Sequence, residues 1–167
     1  MAGYLKIGDI KGESTEPDHK EWINLTSVSQ GLTRPMASGI SGSSRQRASV
    51  TCGDVVVTKE MDASTPKLIS AICDGTVFKE VKIDICTSTG AAKRVPYFQW
   101  VLKNVMVTSF NVSGQIKSAT DGAAPPVIHE TLSLNYEEIA WTYDKMGKDG
   151  KTQGKVDATW KVEEGTA

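Results

Sequence analysis

The sequence predicts a mainly β fold that carries one short α-helix. Two observations predict it. Apolar and polar residues alternate along most of the chain, which is the period of a strand with one buried face. One stretch, from Asp62 to Ile85, switches to helical spacing and back again. The bounds agree with this reading. A chain of 167 residues suits a single domain over residues 1–167 with a real core, and 39% apolar and 23% charged content is that of a globular protein. A net charge of -1, from 19 basic and 20 acidic residues, lacks the basic excess of a nucleic-acid binder.

The elements follow in order. "YLKIGDIKG" alternates, with Leu5 and Ile7 against Lys6 and Gly8. "KEWINLTSVSQGL" alternates again around Ile23 and Leu25. From Ser29 to Ser49 both periods vanish in a Gly/Ser-rich stretch with arginines, which reads as a long loop. "SVTCGDVVVTKEM" returns to strand chemistry through Val55, Val56 and Val57.

The helix, about residues 64–74, is well punctuated. Ser64 or Thr65 suits the N-cap, and Pro66 fits the first helical position, where its missing N–H costs nothing. Leu68, Ile69 and Ile72 fall on one face and are expected to pack on the β structure, and Gly75 ends the helix. "TVFKEVKIDI" alternates at once. A helix this short needs tertiary packing and is expected to plug an end or side of a barrel or sandwich.

"VPYFQWVLKNVMVTSFNVS" is a long strand rich in β-branched and aromatic residues, and Ser113–Val127 is a second loop. "HETLSLNYEEIAWTYDK" puts Leu132, Leu134 and Tyr136 in one phase and Ile139, Trp141 and Tyr143 in the other. The change at Glu137–Glu138 is how a β-bulge looks in sequence. "KVDATWKVEE" closes with Val156, Ala158, Trp160 and Val162 on one face.

Motifs for chemistry are missing. "GKDGKT" has Lys145 where a phosphate loop needs glycine, and no strand–helix context flanks it. His19 and His129 form no ligand pattern, so neither metal nor cofactor is expected. Adjacent Glu137 and Glu138 point to opposite faces of a strand and cannot share a site as a carboxylate pair without the bulge turning one of them. No nucleophile motif is present and no catalytic residue is assigned, so an enzyme is not expected. Cys52, Cys73 and Cys86 read as reduced, buried thiols. The start has no apolar run of signal-peptide length, and no segment approaches the ~18 apolar residues of a membrane helix. The expectation is cytosolic synthesis without membrane insertion.

Three blocks, "YLKIGDIKGES", "TKEMDASTPKLISAICDGTVFKEVKI" and "ETLSLNYEEIAWTY", then decide the reading. In order and spacing they resemble the hemolysin-coregulated protein (Hcp) family, the inner-tube subunit of type VI secretion systems. The resemblance covers nearly the whole chain and includes the C-terminal "GKDGKTQGKVDATWKV" hairpin. It implies a β-barrel of two antiparallel sheets with one flanking helix. It implies homohexameric rings that stack into a tube inside a contractile sheath on a baseplate, with a VgrG spike at the tip. It further implies effector proteins carried in the lumen, and secretion without a signal peptide into the extracellular space or a target cell. The alternative is a phage-like tail-tube or other β binding module with no secretion role.

Under this resemblance the loop at 31–49 is a candidate contact between subunits or rings. Arg34, Arg45 and Arg47 are its candidate residues, because guanidinium forks suit carboxylates on a facing surface, and Gly39 and Gly42 lie in the same segment. Glu13, Glu16 and Asp18 are the candidate acidic partners.

Overall fold

A computed structural model describes residues 1–35, 50–88, 94–114, 127–147, 152–163 and 165. The strands are β1 (Ala2–Ile7), β2 (Ile23–Leu25), β3 (Ser27–Thr33), β4 (Thr51–Glu60), β5 (Val77–Ser88), β6 (Arg94–Ser113), β7 (His129–Asn135), β8 (Glu138–Met146) and β9 (Thr152–Lys161). The helix α1 is Thr65–Asp74. It is the one α-helix among the described residues, and no described helix is long and apolar enough to cross a membrane.

Every strand pair is antiparallel, and the strands join in one hydrogen-bonded ladder, ordered β2-β1-β5-β6-β7-β4-β3. β8 and β9 branch from it, β8 pairing with β6 and β9 with β8. The long β6 (20 residues) is the hub: β5 runs along one edge, and β7 and β8 share the other. The two ends of the path, β2 and β3, are consecutive in sequence. They meet at Thr26, whose N–H donates to the Thr58 carbonyl of β4 at 2.8 Å. The ladder is therefore open as a hydrogen-bond path but returns to itself through the chain, which gives the barrel form.

Alternation builds the core. Leu5 and Ile7, Val55 and Val57, Val81 and Ile83, and Leu132 and Leu134 all turn inward and are fully buried. The change of phase expected at Glu137–Glu138 is a break between β7 and β8. It sits beside a matching change in β6, where the buried set passes from Leu102 to Val105 and Val107. Asn104 makes that step with a left-handed backbone, φ 49°, and its side-chain amide donates to Glu137 at 2.5 Å. Glu137 N–H reaches back to the Lys103 carbonyl. Two strands thus change face together, and the core stays apolar on both sides of the step.

Three expectations are corrected. The loop expected from Ser29 begins later, because Ser29–Thr33 belong to β3 and pair with β4 across an irregularity at Gly31. Backbone pairing at a sheet margin needs no apolar alternation, so the segment does not read as a strand. Ser64 does not cap α1: its backbone is helical and it makes no cap bond. Asp62 supplies the acceptor instead, taking the Ser64 N–H at 2.9 Å and the Ser64 hydroxyl at 2.5 Å. Finally, Leu68 is fully buried and Ile72 packs on the core, but Ile69 is 40% exposed. The buried arc is centred on Leu68, with Thr65 and Ala71, and Ile69 lies one step round the helix.

The C-terminus of α1 follows the sequence. Gly75 takes φ 64°, and the N–H groups of Gly75 and Thr76 return to the Ile72 and Ala71 carbonyls.

The segment between β1 and β2 crosses the outer side of β1 and β5. A 3-10 turn, Pro17–His19, drives His19 beneath it. The ring stacks on Tyr4 with centroids 4.4 Å apart, meets Trp22 edge-on, and sets Nε2 2.8 Å from Asp84. Gly12 allows the close crossing, since a Cβ there would lie 2.5 Å from the Trp22 carbonyl oxygen.

Candidate assembly surfaces

The interior face of the sheet does not stop at the barrel. Strand register places side chains of β6, β8 and β9 in rows. Leu102, Ile139 and Trp160 form the first row, which is part of the core. Trp100, Trp141 and Ala158 form the second, and Phe98, Tyr143 and Val156 the third. Burial falls along this series, to 45% exposure at Tyr143 and 69% at Val156. An apolar, aromatic shelf thus overhangs into solvent. Its outer margin is β9, ten residues that, among the described residues, pair with β8 alone. Such an edge is a template for another chain unless it is covered.

A polar knot holds the inner part of the shelf. Gln30 of β3 accepts from the indole N–H groups of Trp100 at 3.2 Å and Trp141 at 3.0 Å, and donates to the Tyr136 hydroxyl at 2.7 Å. Tyr136 in turn donates to the Gly53 carbonyl at 3.1 Å. Burial pushes the Tyr136 phenol up to about 12, and raises the neighbouring Cys52 thiol as well. Nothing in the sequence pattern marks Gln30, which stands in a Gly/Ser stretch without a period.

The outer face of β3, β4, β7 and the end of β6 has a different chemistry. Ser27, Thr58, Thr131 and Asn111 line up across the four strands, and Ser29, Val56, Ser133 and Ser109 form the next row. Ser109 and Ser133 share a hydrogen bond of 2.7 Å, and Asp54 accepts from Thr108 at 2.6 Å and Asn135 at 2.8 Å. The outer face of β5, β6 and β8 is instead charged, with Lys103 on Glu138 at 2.6 Å and Lys82 on Glu80 at 3.1 Å. The wall formed by β3, β4, β7 and the end of β6 is small and hydroxylic, with Asp54 and Glu60 as its carboxylates and, among the described residues, no lysine or arginine.

Of the residues expected at a loop contact, Arg34 is exposed just after β3. Gly39, Gly42, Arg45 and Arg47 lie outside the described residues. The acidic partners expected for them have partners within the chain: Glu13 accepts from the Ala63 N–H at 3.1 Å, and Glu16 lies 3.8 Å from Arg94. The expectation of buried thiols holds for Cys86, while Cys52 is half-buried and Cys73 is exposed on the last turn of α1. Burial, and then the Asp84 charge, push the Cys86 thiol up to about 12. No group of three His, Cys, Asp or Glu among the described residues is placed to hold a metal ion.

A family model described as "Type VI secretion system effector, Hcp" matches residues 4–143. The chain belongs to the Hcp family. It is 28% identical over 160 residues to "Protein hcp1" of Pseudomonas aeruginosa, covering 95% of this chain and 93% of that protein. A second Pseudomonas aeruginosa protein, named "Major exported protein", is 25% identical over 97 residues, which cover 58% of this chain and 55% of that protein. Among solved structures, one described as that of a type six secretion system protein is 30% identical with a TM-score of 0.83, covering 99% of this chain and 98% of that one. Hcp1 from Salmonella typhimurium has the same fold at 19% identity and a TM-score of 0.74, covering 99% of this chain and 97% of that one. Family membership makes this a type VI secretion tube or effector protein, and the Hcp fold accounts for its open barrel and single helix.

Proposed function

We propose that the chain is a structural subunit of the type VI inner tube. Six copies close into a ring, rings stack, and sheath contraction expels the tube with a VgrG spike at its tip. The observation that carries this reading is the apolar shelf with its open β9 edge. Head-to-tail contact between identical units closes a ring in one direction and grows without limit along the axis. A monomer that keeps Tyr143 and Val156 in water has one economical use for them, which is contact with a neighbouring copy.

The hydroxylic wall supports the carrier part of the reading. A tube that transports unlike effector proteins and then releases them is served by a lumen of small hydroxyl groups in which the Asp54 carboxylate is already hydrogen-bonded to Thr108 and Asn135. The baseplate and sheath are the remaining proposed partners. Synthesis in the cytosol and export with the tube complete the proposal.

Native mass spectrometry at micromolar concentration tests it. A hexamer is expected for the wild type. Val156→Asp is expected to give monomers with an unchanged far-ultraviolet circular dichroism spectrum, because a carboxylate in the contact would be buried without a partner. A monomeric wild type overturns the ring, and an intact Val156→Asp ring moves the contact away from the shelf.

A further inference from the structure

Beneath the N-terminus of α1 lies a charged cluster that no surface property explains. Lys59 of β4 and Glu130 of β7 are direct cross-strand partners on the inner face, and both are fully buried. The Lys59 ammonium has three donors, and each meets an acceptor: Glu130 at 2.6 Å, Asp62 at 2.8 Å and the Thr65 hydroxyl at 3.2 Å. The Thr65 hydroxyl donates to Glu130 at 2.8 Å and accepts the Asp62 N–H at 3.2 Å. Asp62 also holds the first turn through the Ser64 N–H.

We propose that this cluster is a positional lock for α1: it fixes where the helix sits on the barrel and contributes little net stability. The charge balance argues for this. An ammonium beside a helix N-terminus opposes the helix dipole. Here two carboxylates, Glu130 and Asp62, outweigh one ammonium and leave the charge there negative, which favours the helix in this position. The geometry argues the same way. Two of the three acceptors of Lys59 come from the chain entering α1, at Asp62 and Thr65, and one comes from the barrel. Sliding the helix by a turn takes both entering acceptors away and leaves a buried ammonium under-satisfied. An apolar contact such as that of Leu68 tolerates a slide, whereas this one does not. Taking the charges out of water offsets most of what the pair gains by meeting, so its role is to select a position.

Hydrogen exchange on the apolar double replacement Lys59→Met/Glu130→Leu tests the lock, with Lys59→Met alone as the companion. The double variant is expected to melt within a few degrees of the wild type. Its amides over residues 67–74 are expected to exchange at least tenfold faster, while those of β5 and β6 keep their protection. Lys59→Met alone strands a buried carboxylate and is expected to melt far lower than the double variant. Unchanged protection of α1 in the double variant overturns the lock. So does a double variant that melts as low as the single one or fails to fold, since the cluster would then be a source of stability.

Discussion

Two buried acidic hydrogens contribute to how this protein responds to alkali. Tyr136 and Cys86 are both neutral when protonated, and burial raises both to about 12, from ordinary values of 10.0 and 9.0. The unfolded chain therefore ionises first. The contribution of each group to stability is complete below its ordinary value and is lost as pH rises towards 12. Denaturant midpoints are expected to be flat up to about pH 9 and then to fall as pH rises towards 12. Urea titrations at several pH values check this, and a midpoint that stays level from pH 9 to 12 contradicts it. At this scale the sequence was only partly legible. Lys59 and Glu130 were readable in principle, since Val55, Val57 and Lys59 share a phase, as do Glu130, Leu132 and Leu134. A charge in the inward phase of two strands is a signal for a buried pair. Gln30 offered no such signal, because its value comes from Trp100 and Trp141, remote in sequence.

At the scale of elements, α1 separates what pattern alone can say from what packing decides. Helical spacing marked Leu68, Ile69 and Ile72 together, but a barrel wall covers only a narrow arc of a helix. Leu68→Ala is expected to cost ~2–5 kcal/mol, because it opens a cavity at a fully buried site. Ile69→Ala is expected to stay within about 0.5 kcal/mol of the wild type. Chemical denaturation of the two variants checks the pair, and equal losses would mean that the arc is wider than the structure shows. The boundaries of α1 were legible because Pro66 and Gly75 act through their own backbones. Its cap was not, since Asp62 and Ser64 are equally good cap residues and the tertiary pull of Lys59 on Asp62 decides between them. The end of β3 was hidden for a related reason: Gly31 carries no side chain to alternate, and the strand is defined by what β4 offers it.

For the molecule as a whole, the barrel is completed by few groups, and Gln30 is the most consequential. It ties β3, at one end of the ladder, to tryptophans of β6 and β8 across the interior. Gln30→Met keeps the volume and removes every side-chain hydrogen bond of the knot that Gln30 makes. It is expected to cost about 2–4 kcal/mol, from two indole donors that lose their acceptor, and to red-shift the tryptophan emission as water reaches Trp100 and Trp141. Unchanged emission and stability would show that the barrel closes without the knot. The predominantly β class, the single helix and the change of phase at Glu137 were all legible, because each is written in local periodicity. The open ladder and its return through Thr26 were not, because they depend on which strands meet.

The hub strand has a thermodynamic consequence. β6 gives one edge to β5 from Arg94 to Met106 and divides the other between β7 and β8. Neither the β7–β4–β3 wing nor the β8–β9 wing can melt without stripping part of the same strand. The two wings thus share one cooperative unit, and calorimetry of the isolated subunit should show a single transition whose van't Hoff and calorimetric enthalpies agree.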